Sequence, residues 1–385
     1  RDHALFGVQA GVSDDPHPMR GKLGGRGPGH SGGGVAGGIG HHVQLDDLLG
    51  ILGISHGVSM SGAHACAEPC ACQTLRVPSP PCEQQPIVAV VGPTASGKSE
   101  LGLGLAAALG GEIVNADASQ LYRGMDIGTA KMGAEDRRGI AHHQIDVLEV
   151  ADEARVAAYQ SNARADLAVI RGRENLPVVV GGSGLYVRAL LDELHIPPTD
   201  PQVRARFEAE LAKSGASALH TRLAALDPAA AAAINPGNER RVVRALEVIE
   251  LTGRPFTASM PQRVYAEPTV MLGLLADRQV LNDRIESRVK AMWTGGLIDE
   301  VRRLEGAGLR ASPTARKALG YSQALAYLDG ELTVAQAQED TFIATRKYAR
   351  RQMAWFRPDP RIIWLEHDAP DLLDQALAVY AERAM

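Results

Sequence analysis

The run Gly92-Pro93-Thr94-Ala95-Ser96-Gly97-Lys98-Ser99 constrains this chain more than any other stretch. It has the form G-x-x-x-x-G-K-S, a pattern that carries meaning only where a strand enters and a helix leaves. Both are present. Ile87 to Val91 is a continuous apolar run of strand length, as expected of a strand covered on both faces of a parallel sheet. Lys98 to Leu109 is rich in Leu and Ala and reads as helix. In such a turn, successive backbone amides converge on one anion and the helix N-terminus adds its partial positive charge. Lys98 then supplies a cation for the outer phosphates, and the Ser99 hydroxyl supplies a ligand for Mg²⁺.

Strands and helices alternate downstream. Glu112 to Asn115 reads as strand, residues 153–171 as helix, and Pro177 to Gly181 as a strand running into glycines. Residues 197–262 read as nearly all helix, broken at Pro228 and Pro236. A strand returns at Thr269 to Leu274, followed by helices at 278–293, 297–307 and 335–357, a strand at Arg361 to Leu365 and a helix to Ala384. The expected fold is α/β: a P-loop NTPase-like, doubly wound parallel sheet. Residues 86–196 and 263–385 would form the catalytic core, and residues 197–262 a helical insertion.

Residues 1–85 differ from the rest. The stretch opens on Arg1 rather than Met and is rich in glycine, with runs such as Gly32-Gly33-Gly34. It reads as a fragment or an upstream extension, expected to be mostly disordered because so few side chains offset the ordering entropy. All 4 cysteines lie here, at Cys66, Cys70, Cys72 and Cys82, with His64 nearby. Their spacing matches no paired zinc knuckle, so they are taken as incidental thiols. A core without cysteine suits a reducing compartment, and the cytoplasm is expected. No apolar run reaches the ~20 residues of a membrane span. With a net charge of −5, a nucleic-acid partner would have to be met by a local basic surface.

The residues around the loop bear on the substrate. Asp117 lies just past the second expected strand, where it would serve as a Mg²⁺ ligand or a general base. The strand at Pro177 runs into Gly181-Gly182-Ser183-Gly184, with a hydroxyl where a nucleotide hydrolase more often carries an acidic metal ligand. Arg284 and Arg288, four apart on a helix, share a face and offer a second phosphate clamp. Arg240, Arg241 and Arg244 form one basic surface. Arg346, Lys347, Arg350, Arg351 and Arg357, interleaved with Tyr348, Trp355 and Phe356, form another, suited to phosphate tracking and base stacking.

Together these residues resemble the tRNA dimethylallyltransferases. The likeness lies in GPTASGKS, in NADASQLYRGMDIGTAK from Asn115, in VVGGSGLY from Val179 and in RRVVRALE from Arg240. It continues through RIESRV and GLIDEVRRL to Leu319-Gly320-Tyr321 and TRKYARRQMAWFR, covering essentially all of residues 86–366. The resemblance implies dimethylallyl diphosphate as donor and, as acceptor, the exocyclic amine (N6) of the adenine just 3′ of the anticodon (position 37). Asp117 would be the general base, and Ala118, Ser119 and Gln120 would contact the flipped-out base. Gly92, Pro93, Thr94, Ala95, Ser96, Gly97, Lys98, Ser99 and Arg288, with Mg²⁺, would hold the diphosphate. Ser183 stands where the family usually has Thr, and Ala118 where it commonly has Ser. Arg204, Arg240, Arg241, Arg244 and the segment holding Lys317, Gly320 and Tyr321 would meet the tRNA anticodon stem-loop, alongside Arg346, Arg350 and Arg351. A monomer acting on one tRNA is expected, without a membrane partner. The alternative is a P-loop kinase of a small metabolite, which shares the loop but needs neither Ser183 nor the basic C-terminal block.

Overall fold

The computed structural model describes residues 85–256 and 263–384. The extension expected to be disordered, with its cysteines, lies outside the described residues except for Gln85. Among the described residues, six strands form one all-parallel sheet. In chain order they are β1 (Ile87–Val91), β2 (Gly111–Asn115), β3 (His142–His143), β4 (Leu176–Gly181), β5 (Thr269–Leu275) and β6 (Ile362–Glu366). Across the sheet they run β3-β2-β4-β1-β5-β6. The chain therefore leaves β1 toward one edge and comes back to its other side with β5, which is the crevice geometry that places ligands beyond strand carboxyl ends.

Strand alternation divides β1 between two cores. Ile87, Ala89 and Val91 point into a cluster with α2 (Val156–Gly172) and α3 (Gly184–Leu191), whereas Val88 and Val90 pack on α1 (Lys98–Leu109) and α11 (Leu372–Ala384). Both sets are buried, so the run is continuously apolar and carries no period-two signal. Burial also hides α3, which is wholly inside from Tyr186 to Leu191, including Arg188, which is paired with Asp192 at 2.7 Å.

Helices α4 (Pro201–Leu226), α5 (Pro228–Ala233) and α6 (Glu239–Thr252) bury a cluster of their own around Phe207, Leu219, Leu223 and Leu246. Asp200, Asp227 and Asn238 cap them, each side chain accepting from the first-turn amides. A fourth core joins α7 (Arg278–Thr294), α8 (Leu297–Gly306), α9 (Tyr321–Leu328) and α10 (Val334–Phe356). No described helix is long and apolar enough to cross a membrane.

The tips of β2 and β4 approach so closely that a methyl group on Gly181 would lie 2.3 Å from the Ala116 carbonyl oxygen. Backbone cannot yield cheaply there. Gly181→Ala is expected to cost about 1–3 kcal/mol of stability in urea unfolding. Gly172→Ala, at the end of α2 with open space around it, should stay within about 1 kcal/mol of the parent or above it.

Candidate active site

The loop after β1 turns through Ala95 (φ 64°) and Gly97 (φ 93°), both in the left-handed region. Gly97 is required there by its backbone angle alone, since a methyl group at that position would meet nothing within 4 Å. The Lys98 ammonium donates to the Pro93 carbonyl of its own loop at 2.5 Å. Burial lowers its pKa to about 8, with Asp117 nearby raising it and Arg288 lowering it. Ser99 is exposed at the first turn of α1.

Asp117 follows β2 and caps a short 3₁₀ turn, Ala118–Leu121. Its Oδ1 accepts from the Ser119 amide at 3.0 Å, and it is half-exposed. Buried Asn115 fixes its backbone in both directions, accepting from the Asp117 amide at 3.0 Å and donating to its carbonyl at 3.0 Å. Ser183, after β4, accepts from the Ala118 amide at 3.2 Å and sits 3.4 Å from the Tyr348 hydroxyl. Arg288 reaches across from α7, donating to the Thr94 hydroxyl at 3.2 Å and the Thr129 carbonyl at 3.0 Å. Burial holds its pKa below the ordinary value, and the Asp117 charge opposes that shift. Arg284 lies apart, hydrogen-bonded to His367.

Several of these groups line one channel of about 330 Å³, which Lys98, Ser99 and Arg284 do not reach. Thr94, Asp117, Ser183 and Arg288 face it, together with the apolar side chains of Ile285, Val289 and Met292. Among the described residues, Asp117 is the one carboxylate in that lining, against Arg288, Lys317 and Arg351. Cations outnumber carboxylates in that lining, which favours an anionic ligand.

Sequence reasoning missed Gln352. It is buried on α10, accepts from the Thr94 amide at 2.8 Å, and donates to the Gly182 carbonyl at 3.0 Å. One side chain therefore ties the phosphate loop to the turn carrying Ser183. The only available signal was its place in the basic-aromatic block, four residues after Tyr348. The aromatics of that block turn inward, Tyr348 and Trp355 toward the channel. Phe356 is in the core, Tyr348 faces Ser183, and the Trp355 ring lies so close over Gly184 that a methyl group there would meet it at 2.0 Å.

The residues assigned to tRNA divide by position. Ala118, Ser119, Lys317 and Arg351 line the channel, and Gln120 lies beside it, donating to the Thr129 carbonyl at 3.3 Å. Lys317 has its pKa lowered by burial and by the charges of Arg240 and Arg316. Arg240 and Arg350 are exposed, Arg241 is half-buried, and Arg346 lies over the Phe342 ring. Arg204 and Arg244 both bond the buried Glu247 at 2.8 Å, so their charges are partly committed within the insertion. Tyr321 must be corrected: it is fully buried, its hydroxyl donates to Glu300 at 2.5 Å, and its side chain presents nothing to a partner. Gly320 is buried as well, at the start of α9.

Ser99 offers a hard oxygen, and among the described residues no cluster of three or more His, Cys, Asp or Glu would hold a metal by itself. Ser99 would be the protein's ligand to Mg²⁺.

A family model described as IPP transferase matches residues 120–359. The chain is 58% identical over 303 residues to the tRNA dimethylallyltransferase of Thermobifida fusca, covering 77% of this chain and 95% of the relative. It is 56% identical over 301 residues to that of Kineococcus radiotolerans, covering 76% and 95%. Among solved structures, the tRNA isopentenylpyrophosphate transferase from Bacillus halodurans superposes with a TM-score of 0.58 at 40% identity, covering 77% of this chain and 95% of that one. A eukaryotic dimethylallyltransferase acting on tRNA shares the fold, with a TM-score of 0.66 at 24% identity over 77% of each chain.

An anion bound beside Lys98 raises the pKa that burial has lowered to about 8, so binding takes up a proton. Pyrophosphate affinity is therefore expected to be full below pH 8 and to fall as pH rises through it. Lys98→Met should remove that part of the dependence, leaving only the ligand's own ionisation. Calorimetry of both proteins between pH 7 and 9 measures the difference; identical pH profiles would contradict it.

Proposed function

The chain belongs to the tRNA dimethylallyltransferase family, and from that premise we propose that it transfers the dimethylallyl group of dimethylallyl diphosphate to N6 of the adenine at position 37 of tRNA, in the cytoplasm. The observation that carries this reading is the single carboxylate, Asp117, facing Arg288 and the phosphate loop across one channel with apolar walls. A kinase has less use for that arrangement, because its site must bind a whole nucleotide and orient a hydroxyl acceptor.

The allylic C–O bond breaks and its electron pair leaves with the diphosphate. The loop amides, Lys98 and Arg288 stabilise that developing charge in a site where water screens little. Mg²⁺, held at Ser99, would add further charge neutralisation. The N6 lone pair forms the new C–N bond, and the N6 proton passes to the Asp117 carboxylate. That carboxylate is already aimed by the Ser119 amide on Oδ1 and by Asn115 on its backbone. Ser183 bonds the Ala118 amide and so helps shape the wall against which the base would lie. An adenine stacked in an anticodon loop must leave the stack to enter such a channel. Lys317, Arg240, Arg350 and Arg351 would grip the backbone as it does.

The test is incubation with labelled dimethylallyl diphosphate, Mg²⁺ and unmodified tRNA. Label is expected in the tRNA; its absence, together with ATP-dependent phosphorylation of a small acceptor, would replace this reading with the kinase. Asp117→Asn should retain tRNA affinity while turnover falls by ~10²–10⁴. Unchanged turnover would remove Asp117 as the base.

A further inference from the structure

Glu300 is a buried carboxylate that the mechanism above does not use. It sits on α8, 1% exposed, and one of its oxygens accepts from the amides of Asp126 and Ile127 at 3.2 and 2.9 Å. The other accepts from the Gly128 amide at 3.3 Å and from the Tyr321 hydroxyl at 2.5 Å. Three successive amides and a buried phenol thus converge on one side chain. Isolated buried carboxylates are costly, and this one is compensated by donors that all belong to a single turn and its backing residue. The turn is further tightened by the Tyr321 ring, which lies so close under Gly128 that a methyl group there would meet it at 2.4 Å.

The next residue is Thr129. Its carbonyl oxygen accepts from Arg288 at 3.0 Å and from Gln120 at 3.3 Å. Arg288 comes from α7, and Gln120 from the 3₁₀ turn that Asp117 caps. One backbone oxygen is therefore the common acceptor for the cation that faces Thr94 of the phosphate loop and for a residue next to the candidate base-binding wall.

We propose that Glu300, with Tyr321 as its hydrogen-bond donor, is a positioning residue for prenyl transfer: it fixes the 126–129 turn so that the Thr129 carbonyl holds Arg288 toward the diphosphate and Gln120 toward the base. The proposal rests on the function given above and deepens it. Glu300 touches no substrate and acts through Arg288 and Gln120. Burial pushes the Tyr321 hydroxyl well above its ordinary pKa, so it remains a donor throughout the working range.

A double-mutant cycle on the full chain tests this. Pyrophosphate affinity is measured by calorimetry for the parent, Glu300→Gln, Arg288→Ala and the double variant, with melting temperatures recorded alongside. Removing the carboxylate should weaken pyrophosphate by about tenfold in the parent, yet have little further effect once Arg288 is gone. Tyr321→Phe, which keeps the carboxylate and the ring, should give a smaller loss of the same kind and replaces Glu300→Gln in the cycle if that variant does not fold. Equal losses with and without Arg288 would mean general loosening of the fold and would overturn the proposal, as would undiminished affinity in a folded variant. If the parent itself neither binds pyrophosphate nor labels tRNA, the functional reading fails, and this inference with it.

Discussion

The Asp117 carboxylate and the two cations near it, Lys98 and Arg288, set the conditions that the rest of the structure meets. Burial lowers both cations' pKa values, and Asp117 partly restores them. Such an arrangement is held only where neighbouring structure fixes every member, because charges in a partly dry site are otherwise expelled or neutralised. The parallel sheet provides the frame. Strands β1, β2 and β4 are adjacent and end level, so the loop at Gly92, Asp117 and Ser183 emerge side by side.

The helices after β5 close the other side. Arg288 comes from α7, Gln352 from α10, and the turn that orients Arg288 is pinned from α8. Gln352 has a particular consequence. By bonding Thr94 and Gly182 at once, it makes the spacing between the loop after β1 and the turn carrying Ser183 a property of one planar amide. Fixed dipoles and buried charge of this kind need no reorganisation during reaction, which is where electrostatic catalysis gains most.

What was legible in the sequence was local. The phosphate loop could be read because its turn, its lysine and its hydroxyl are consecutive, and a strand and helix flank it. Asp117, Ser183 and Arg288 stood out by lying just past strands or on a helix after one. The two-residue strand β3 gave no pattern to read, and α3 gave no helical period because nearly all of it is buried. Basic residues at 346–351 were visible as composition, but composition could not say which aromatics among them turn inward. Tyr321 was misread for the same reason: a tyrosine in a segment assigned to tRNA looks available until a buried carboxylate is found beneath it.

Fold class, phosphate loop and family could all be read from the chain's residues alone, because each is written in short runs whose residues interact with near neighbours or with backbone. It took the tertiary structure to show which side chains share the channel and which are spent on holding it. Thr94 meets Gln352 across 258 positions, and Ile127 meets Glu300 across 173. No periodicity links residues so far apart. Only the packing of α8 and α10 over the loops beyond the strand carboxyl ends brings their hydrogen-bonding groups within 3 Å, and in a buried site a polar group must find such a partner or destabilise the fold.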